Sequence, residues 1–493
     1  MSALKKLAGQ TAIYGLPSIL GRFLNYLLVY IHVRQFSPDV YGVITELFAY
    51  VAFLTALLTY GMETAFFRYC LNYNKETIYR NALGSIIITS SIFLFGVILF
   101  SGTISSFLGY GSHPEYIIWL AAILAFDAVC SIPLARLREE TRAKKFAMVN
   151  ITGIAVMIII NLFFIGYCMP MAKAGKSNFL IDLLYNPNIG VGYVFLGNFL
   201  GSGIKCLLLY KEFLLLRFKW DKALMREMLI YSLPIMLTGL AGLVNETFSR
   251  GFFKYFLEDK IGYKATMYQL GIFGGVYKLS IVITLFVQAY KFAAEPFFFK
   301  QSKEADGKMI YVQMLNVFSF IVFSMFLLVT LFIDFFKYFI NNPEYWAGLK
   351  IVPILLMANT FLGISYNLSI WYKLSGKTIY GVYITLIGAG ITIVLNWFLI
   401  PTLGYVGAAW STFACYTSIM VCSFLWGQKF YPIPYQIGKN LGFLALTLIL
   451  FFADRFLALG VSPLGLFIKV VFLLIFAATF IWVEKPKVLF KRT

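Results

Sequence analysis

Long apolar segments alternate with short polar connections along the whole chain. A helix that spans a bilayer needs ~20 apolar residues, and segments of that size recur from end to end. The sequence therefore predicts an all-α polytopic membrane protein with about fourteen transmembrane helices. We place them at roughly 9–33, 41–66, 78–101, 116–138, 147–168, 189–211, 225–250, 269–294, 309–333, 350–373, 379–400, 403–427, 436–459 and 462–482.

The composition supports this prediction and excludes a large soluble domain. The chain is 60% hydrophobic and only 13% charged, whereas about half apolar is ordinary for a soluble domain. The six cysteines show no metal-ligand or disulfide spacing, and the two histidines stand apart. We therefore expect no metal and no cofactor, other than coupling to H⁺, Na⁺ or the membrane potential.

The formal net charge is +19, which in a soluble protein would suggest a nucleic-acid partner. In a membrane protein, however, Lys and Arg concentrate in the cytoplasmic connections. With the N-terminus inside, the inner segments hold 26 of the 41 basic residues and the outer segments hold 9. This asymmetry predicts that both termini are cytoplasmic, and it predicts no nucleic-acid partner.

Short motifs recur in order along the chain and predict an internal repeat. The pairs are Tyr14-Gly-Leu-Pro17 with Tyr231-Ser-Leu-Pro234, Glu63…Phe66-Phe67-Arg68 with Glu295…Phe298-Phe299-Lys300, Arg138/Arg142 with Lys373/Lys377, Gly153 with Gly388, and Asn161 with Asn396. We predict two parallel six-helix lobes, 1–215 and 216–430, followed by two extra helices and a basic tail over 431–493. Parallel lobes of this kind form transporters that bind substrate between them.

The remaining six basic residues fall within predicted helices, and five of them are candidate substrate-binding residues: Arg22, Lys205, Arg250, Lys278 and Lys291. Charges inside a membrane are costly and usually face a cavity, so this set predicts an anionic substrate. Arg22, about 12 residues into the first helix, and Lys278, about nine residues into the eighth, are the deepest. The other three fit snorkelling to an interface about equally well.

Five carboxylates are candidates for gating or ion coupling in the predicted helices. Glu246 precedes Arg250 by four residues, a spacing that predicts a side-chain ion pair on one helical face. Asp127 is the deepest carboxylate and suits proton exchange, although a structural bond to a neighbouring helix is the alternative. We expect Glu46 near the outer end of the second helix, within reach of water.

The fourth carboxylate, Glu63, and its repeat counterpart Glu295 mark the inner ends of the second and eighth helices. Arg68 follows Glu63 by five residues, so the two side chains point to different faces of a helix and are a poor ion pair. We interpret this stretch mainly as the inner end of a helix, with Glu63 and Glu295 as minor candidates for an inner gate.

The lobes, the two appended helices, the Gly-Met-Glu-x-x-Phe-Phe-Arg motif at 61–68 and the Arg-x-x-x-Arg motif at 138–142 resemble a known family. It comprises the Wzx-type lipid-linked oligosaccharide flippases of the multidrug/oligosaccharidyl-lipid/polysaccharide superfamily. The resemblance implies a V-shaped fold with alternating access. It implies a cargo of oligosaccharide on undecaprenyl pyrophosphate, moved from the inner to the outer leaflet of the bacterial inner membrane.

The same resemblance implies a monomer that contacts membrane lipids and works beside other polysaccharide assembly proteins. Related lipid II flippases use arginines of the first helix and of the second lobe to hold pyrophosphate, positions that Arg22 and Arg250 would fit. Such an anionic cargo is consistent with the cations in the predicted helices, because a pyrophosphate cannot cross hydrocarbon unaided and binds well to fixed cations.

Two other functions remain open. A drug or cation antiporter of the same fold would need acidic groups in its cavity, but the deep charges here are mostly basic. A membrane polysaccharide polymerase or ligase would need a catalytic outer loop or a carboxylate cluster, and the chain has neither. We therefore expect a transporter with no catalytic residues.

Overall fold

The structure is a computed structural model that describes residues 21, 24–70, 72–176, 178–214, 221–301 and 307–484, without the side chains of 292, 293, 295–297, 299–301 and 307. The candidate residue Arg22 and the side chain of Glu295 lie outside the described part. The first predicted helix is described only from residue 21 onwards.

Fourteen helices follow one another in the described residues, one for each predicted segment. They are α1 (24–35), α2 (Pro38–Tyr69), α3 (Lys75–Leu99), α4 (Pro114–Glu139), α5 (Ala143–Lys173), α6 (Gly192–Leu208), α7 (Lys222–Ile261), α8 (Tyr263–Gln301), α9 (Gly307–Leu331), α10 (Pro343–Leu374), α11 (Ile379–Leu403), α12 (Tyr405–Phe430), α13 (Ile437–Leu457) and α14 (Pro463–Glu484). Twelve of them are long and apolar enough to cross a membrane; α6 and the described part of α1 are shorter. The predicted all-α, polytopic fold is confirmed.

The chain divides into two compact units, Met1–Leu243 (unit 1) and Val244–Thr493 (unit 2). The division falls inside α7, because its first turns pack in unit 1. Leu224 and Met228 are buried against residues of α2, α3 and α4. The lobe boundaries inferred from the repeat, at 215/216 and 430/431, stay predictions.

Helix α2 is interrupted within its span. Its first part ends at Thr59, and its second part begins at Met62. Tyr60 and Gly61 between them both adopt left-handed backbone angles, with φ of 32° and 69°. A Cβ on Gly61 would lie 2.7 Å from the carbonyl oxygen of Ser232 on α7, so glycine permits this close contact. The Tyr60 hydroxyl donates a hydrogen bond to Ser85 Oγ on α3 at 2.7 Å. The interrupted backbone of α2 thus packs against a neighbouring helix, as a helix break at membrane depth requires.

Helices α7 and α8 are longer than predicted and are joined by a one-residue turn. Gly262, with φ of 79°, separates Ile261 from Tyr263. At ~1.5 Å per residue, the 40-residue α7 is about 60 Å long, well beyond a hydrocarbon core of ~30 Å. Residues that the sequence placed in connections therefore belong to helix.

The internal repeat recurs in the packing of α5 on α6 and of α11 on α12. A Cβ on Gly153 would lie 2.7 Å from Cγ of Lys205, and a Cβ on Gly388 would lie 2.7 Å from Cδ1 of Ile419. Asn161 and Asn396 are both buried, and each donates its amide to the carbonyl four residues earlier. Small residues at these crossings let the helices approach closely.

Candidate functional site

The largest cluster of candidate residues lies in unit 2, on neighbouring faces of α7 and α8. Arg250 and Glu246 come from α7, and Tyr277 and Lys278 come from α8. Lys278 lies 15 residues beyond Tyr263, not the nine expected, because α8 begins earlier than the sequence indicated. It nevertheless lies within electrostatic range of Arg250 and Glu246, because α7 also continues past residue 250, where we expected it to end, and reaches Ile261.

Arg250 lies over an aromatic ring. Its Cζ atom is 4.7 Å from the centre of the Tyr277 ring, a cation–π distance. Its Nη2 donates to the main-chain carbonyl oxygen of Glu246 at 2.8 Å. The predicted ion pair with the Glu246 carboxylate is therefore wrong: the four-residue spacing brings the guanidinium to the helix backbone instead.

Lys278 completes this cluster. The side chain is half-buried, within electrostatic range of both Arg250 and Glu246. Two cations thus share a region with one exposed carboxylate. Such an arrangement keeps a surplus of positive charge, and its Arg and Lys donors suit the oxygens of a phosphate.

Lys254 is a further cation of α7 that the sequence reasoning missed. It is only 4% exposed and lies one turn beyond Arg250. Its Nζ is 5.5 Å from the centre of the Tyr263 ring at the start of α8. The sequence feature that could have identified Lys254 is its four-residue spacing from Arg250, which places both on one helical face. We overlooked it because we predicted that the helix ends at residue 250.

Lys291 lies apart from this cluster. It is 13 residues beyond Lys278, which is about 20 Å along α8. Its Nζ lies 4.9 Å from the centre of the Tyr366 ring on α10. The structure therefore groups Arg250 and Lys278 but does not bring Lys291 to them.

In unit 1 the structure joins two residues that we had given separate roles. Lys205 Nζ on α6 lies 2.5 Å from Asp127 Oδ1 on α4. Ser202 Oγ, one turn before Lys205, donates to the same oxygen at 2.9 Å. A candidate substrate-binding cation is thus the partner of the candidate coupling carboxylate.

Glu46 is not within reach of water, contrary to our expectation. Its side chain is fully buried in unit 1. The hydroxyl of Tyr50 donates to one carboxylate oxygen at 2.6 Å, and the hydroxyl of Tyr110 donates to the other. The sequence did not reveal this because Tyr110 follows α3 in a connection 64 residues away.

Glu63 forms an ion pair at one end of unit 1. It pairs with Arg138 at the end of α4, whereas Arg68 lies 4.2 Å from the centre of the Tyr231 ring. The prediction that Glu63 and Arg68 are not partners is confirmed. The motifs at 61–68 and 138–142 thus meet in space.

A separate ion-pair network contains Glu212, which follows α6. This carboxylate is 4% exposed and pairs with Arg142 at 3.0 Å and with Lys145 at 2.8 Å. Burial alone would raise the pKa of nearby Glu140, but hydrogen bonds from Arg136 and Arg142 hold that pKa below its ordinary value. These contacts tie the α4–α5 connection to the end of α6.

Within the part of the chain that the structure describes, no group of His, Cys, Asp and Glu side chains could hold a metal ion. The cluster on α7 and α8 can bind anions through charge and hydrogen bonds. In the group of Asp127, Ser202 and Lys205 on α4 and α6, the carboxylate offsets the charge of the lysine.

Known proteins provide an independent comparison with this chain. A family model described as "Polysaccharide biosynthesis protein" matches residues 7–302. No curated protein sequence matches the chain.

Solved structures of two kinds of transporter share its fold. The lipid II flippase MurJ, in an inward closed conformation, is 14% identical with a TM-score of 0.65, and the match covers 96% of this chain and 99% of MurJ. A multidrug resistance MATE family transporter of the MOP superfamily, in an inward-facing conformation, is 14% identical with a TM-score of 0.59, covering 85% and 94%. A MATE structure in the straight conformation is 15% identical with a TM-score of 0.54, covering 86% and 95%.

The family match spans more than half of the chain, and the fold it shares with MurJ extends over nearly all of it. The resemblance stated from the sequence motifs is thereby confirmed. The chain belongs to the polysaccharide biosynthesis protein family, whose fold is that of the MOP-superfamily transporters.

Proposed function

We propose that this protein is a flippase that moves an oligosaccharide linked to undecaprenyl pyrophosphate across the bacterial inner membrane. The observation that carries the proposal is the cluster of Arg250 and Lys278 on Tyr277 in α7 and α8. It supplies fixed positive charge within membrane-spanning helices of a chain from the polysaccharide biosynthesis family.

The physical problem for such a cargo is its pyrophosphate group. This group carries about two negative charges and is strongly hydrated, so its transfer into hydrocarbon costs far more than thermal energy provides. Arg and Lys can replace the lost hydration with charge-assisted hydrogen bonds. An Arg held by a tyrosine face and a backbone carbonyl keeps its position without a competing carboxylate.

The other candidates receive secondary roles in the same proposal. Lys291, on Tyr366, would hold the anion elsewhere along α8, and Arg22 would contribute from the first helix. Glu63, paired with Arg138, would act in a gate at the predicted cytoplasmic end. Transport would proceed by alternating access of a monomer, with cytoplasmic termini, beside other polysaccharide assembly proteins and without covalent chemistry.

The test is a double variant, Arg250→Gln with Lys278→Gln, reconstituted in vesicles with a labelled lipid-linked oligosaccharide. We expect the initial rate of flipping to fall by at least about 100-fold, since two charge-assisted contacts are lost. Surface polysaccharide in a deletion strain should disappear in parallel, with normal protein levels in the membrane.

Lys260→Gln with Lys264→Gln is the matched control, because it also removes two positive charges, here from exposed positions at the junction of α7 and α8. It should flip at nearly the wild-type rate. Normal flipping by the double variant would refute the proposal, and so would equal losses in the double variant and the control.

A further inference from the structure

The internal repeat places Asp127, Ser202 and Lys205 of unit 1 at positions that unit 2 fills differently. The counterparts in unit 2 are Leu362, Tyr416 and Ile419. The packing supports this alignment. The Phe126–Phe199 ring pair of unit 1, with ring centres 5.8 Å apart, matches the Phe361–Phe413 pair of unit 2, with centres 5.6 Å apart. The contact of Gly153 with Lys205 likewise matches that of Gly388 with Ile419.

The fold itself does not need charges at this place. In unit 2, Leu362 and Ile419 pack beside buried Ala358, Cys415 and Tyr416 in an apolar cluster. Replacing an ion pair inside a protein with well-packed apolar residues is often neutral or stabilising. The ion pair in unit 1 therefore calls for a reason other than packing.

The pair is also partly accessible. The side chain of Asp127 is 36% exposed, and that of Lys205 is 22% exposed. Exposed charges at membrane depth face a water-filled space, because exposure to lipid is costly. Ions and polar groups can therefore reach Asp127 and Lys205.

We propose that Lys205 is an anion-binding residue that Asp127 blocks, and that proton uptake by Asp127 makes it available. The proton binds to the Asp127 carboxylate, and the ion pair is lost. Lys205 keeps its own proton, and a phosphate-type anion replaces the carboxylate as its counter-ion. One proton therefore binds with each anion and offsets one of the anion's negative charges.

A proton suits this exchange better than a metal cation does. Oδ1 of Asp127 already accepts from both Lys205 Nζ and Ser202 Oγ. A sodium ion would have to displace these donors and lie next to the ammonium group, whereas a proton needs no ligand shell. That the anion is a pyrophosphate, like that of the cargo, rests on the proposed function.

The other groups around Asp127 introduce no competing charge among the described residues. Helix α6 presents Lys205 and the Cys206 thiol, and α4 itself presents Cys130, whose sulfur is 3.0 Å from that of Cys206. Helix α5 contributes Gly153 beside the stem of Lys205. Helices α2 and α3 pack on another face of α4, against apolar residues such as Leu124 and Ala128.

The test uses a pyrophosphate diester, which takes up no proton of its own between pH 6 and pH 8. Its binding to the full chain in nanodiscs is measured by calorimetry at pH 8 and pH 6. The background is Arg250→Gln with Lys278→Gln, which removes the cluster of unit 2. We expect affinity to rise about 100-fold from pH 8 to pH 6, the change that one proton per ligand requires over two pH units. The dependence of the heat on the buffer should show about one proton taken up per ligand.

Two single variants in this background separate the roles of the pair. Asp127→Asn should bind tightly at both pH values with no proton uptake, because its side chain cannot hold Lys205 by charge. Lys205→Met should bind weakly at both. If Asp127→Asn kept the pH dependence of its parent, the proposal would be wrong.

A double variant, Asp127→Leu with Lys205→Ile, copies unit 2 and controls for folding. It should unfold at or above the temperature of its parent and lose the pH-dependent binding. Proton-linked binding that survived in it would overturn the proposal. Flipping by the otherwise wild-type chain is measured separately. Its absence would refute the flippase function and leave the Lys205 result standing, whereas normal flipping without proton-linked binding would refute only the present inference.

Discussion

The bases around α4 and α6 of unit 1 and the bases of α7 and α8 in unit 2 have different partners. In unit 1, the bases around α4 and α6 face carboxylates: Arg138 with Glu63, Arg142 and Lys145 with Glu212, and Lys205 with Asp127. In unit 2, the bases of α7 and α8 face tyrosine rings: Arg250 with Tyr277, Lys254 with Tyr263, and Lys291 with Tyr366.

This difference separates structural from binding roles for the same residue types. A base paired with a carboxylate has no net charge to offer an anion. A tyrosine ring orients a base through its quadrupole and leaves the full charge in place. These bases of unit 1 therefore join helices together, whereas Arg250, which donates to a main-chain carbonyl oxygen and lies on Tyr277, can bind an anion.

Giving Arg250 of unit 2 a carboxylate partner, like those of the bases in unit 1, should have the largest effect on flipping. Tyr277→Glu would place a carboxylate under Arg250, and we expect the initial flipping rate to fall by roughly 100-fold because the cation is neutralised. The measurement is flipping of labelled lipid-linked oligosaccharide in vesicles. The control Tyr277→Phe keeps the ring, and its flipping rate should stay within about threefold of wild type. If Tyr277→Glu flipped at a similar rate to Tyr277→Phe, the charge of Arg250 would not be needed for flipping.

Removing a shared carboxylate from unit 1 should cost stability. Glu212→Gln leaves Arg142 and Lys145 without their buried partner, and we expect a loss of about 2 kcal/mol in the free energy of unfolding, less than for a fully buried pair because both bases are partly exposed. Thermal unfolding of the purified protein measures it. Glu76→Gln breaks an exposed pair with Arg80 and should cost at most about 0.5 kcal/mol; equal losses in both variants would contradict the distinction.

A second difference between the units lies in the backbone. Helix α2 breaks at Tyr60 and Gly61, whereas α8 continues through the corresponding residues Phe292 and Ala293. Gly61→Ala should destabilise unit 1 by about 1–2 kcal/mol, because a Cβ is strained at this left-handed angle and meets the Ser232 carbonyl. Unfolding temperatures measure the effect. Gly96→Ala, in open space on α3, should be neutral or slightly stabilising; the same result for Gly61→Ala would mean that the break is not held by glycine.

The smallest effect should come from the pH dependence of the network around Glu140. Its pKa is lowered in the folded protein, so its contribution to stability is complete above the ordinary carboxylate pKa and is lost as the pH falls through the lowered value. Unfolding temperatures between pH 7 and pH 3 should therefore fall less steeply for Glu140→Gln than for wild type. Parallel curves would show that Glu140 gains nothing from Arg136 and Arg142.

The sequence predicted the number and order of helices, because apolar length alone selects a bilayer span. It also predicted the repeat that aligns Gly153 with Gly388, and the separation of Glu63 from Arg68. It misplaced the ends of α7 and α8, since polar residues beyond the membrane can still continue a helix. It also placed Glu46 within reach of water and predicted an ion pair between Glu246 and Arg250, and both predictions are wrong.

These errors share a physical cause. Local spacing limits which side chains can meet along one helix, but it does not report what a neighbouring helix presents. Tyr110 reaches Glu46 across 64 residues, and Lys205 reaches Asp127 across 78. Such contacts depend on helix packing, which is set by many weak interactions over the whole unit.

By itself the sequence determined that the protein lies in a membrane, that it is helical, that it contains an internal repeat and that it carries an excess of positive charge. Each of these follows from composition and periodicity. Only the tertiary structure decided which cations are neutralised and which keep their charge. A pairing energy depends steeply on distance and burial, and both are fixed only when α4 meets α6 and α7 meets α8.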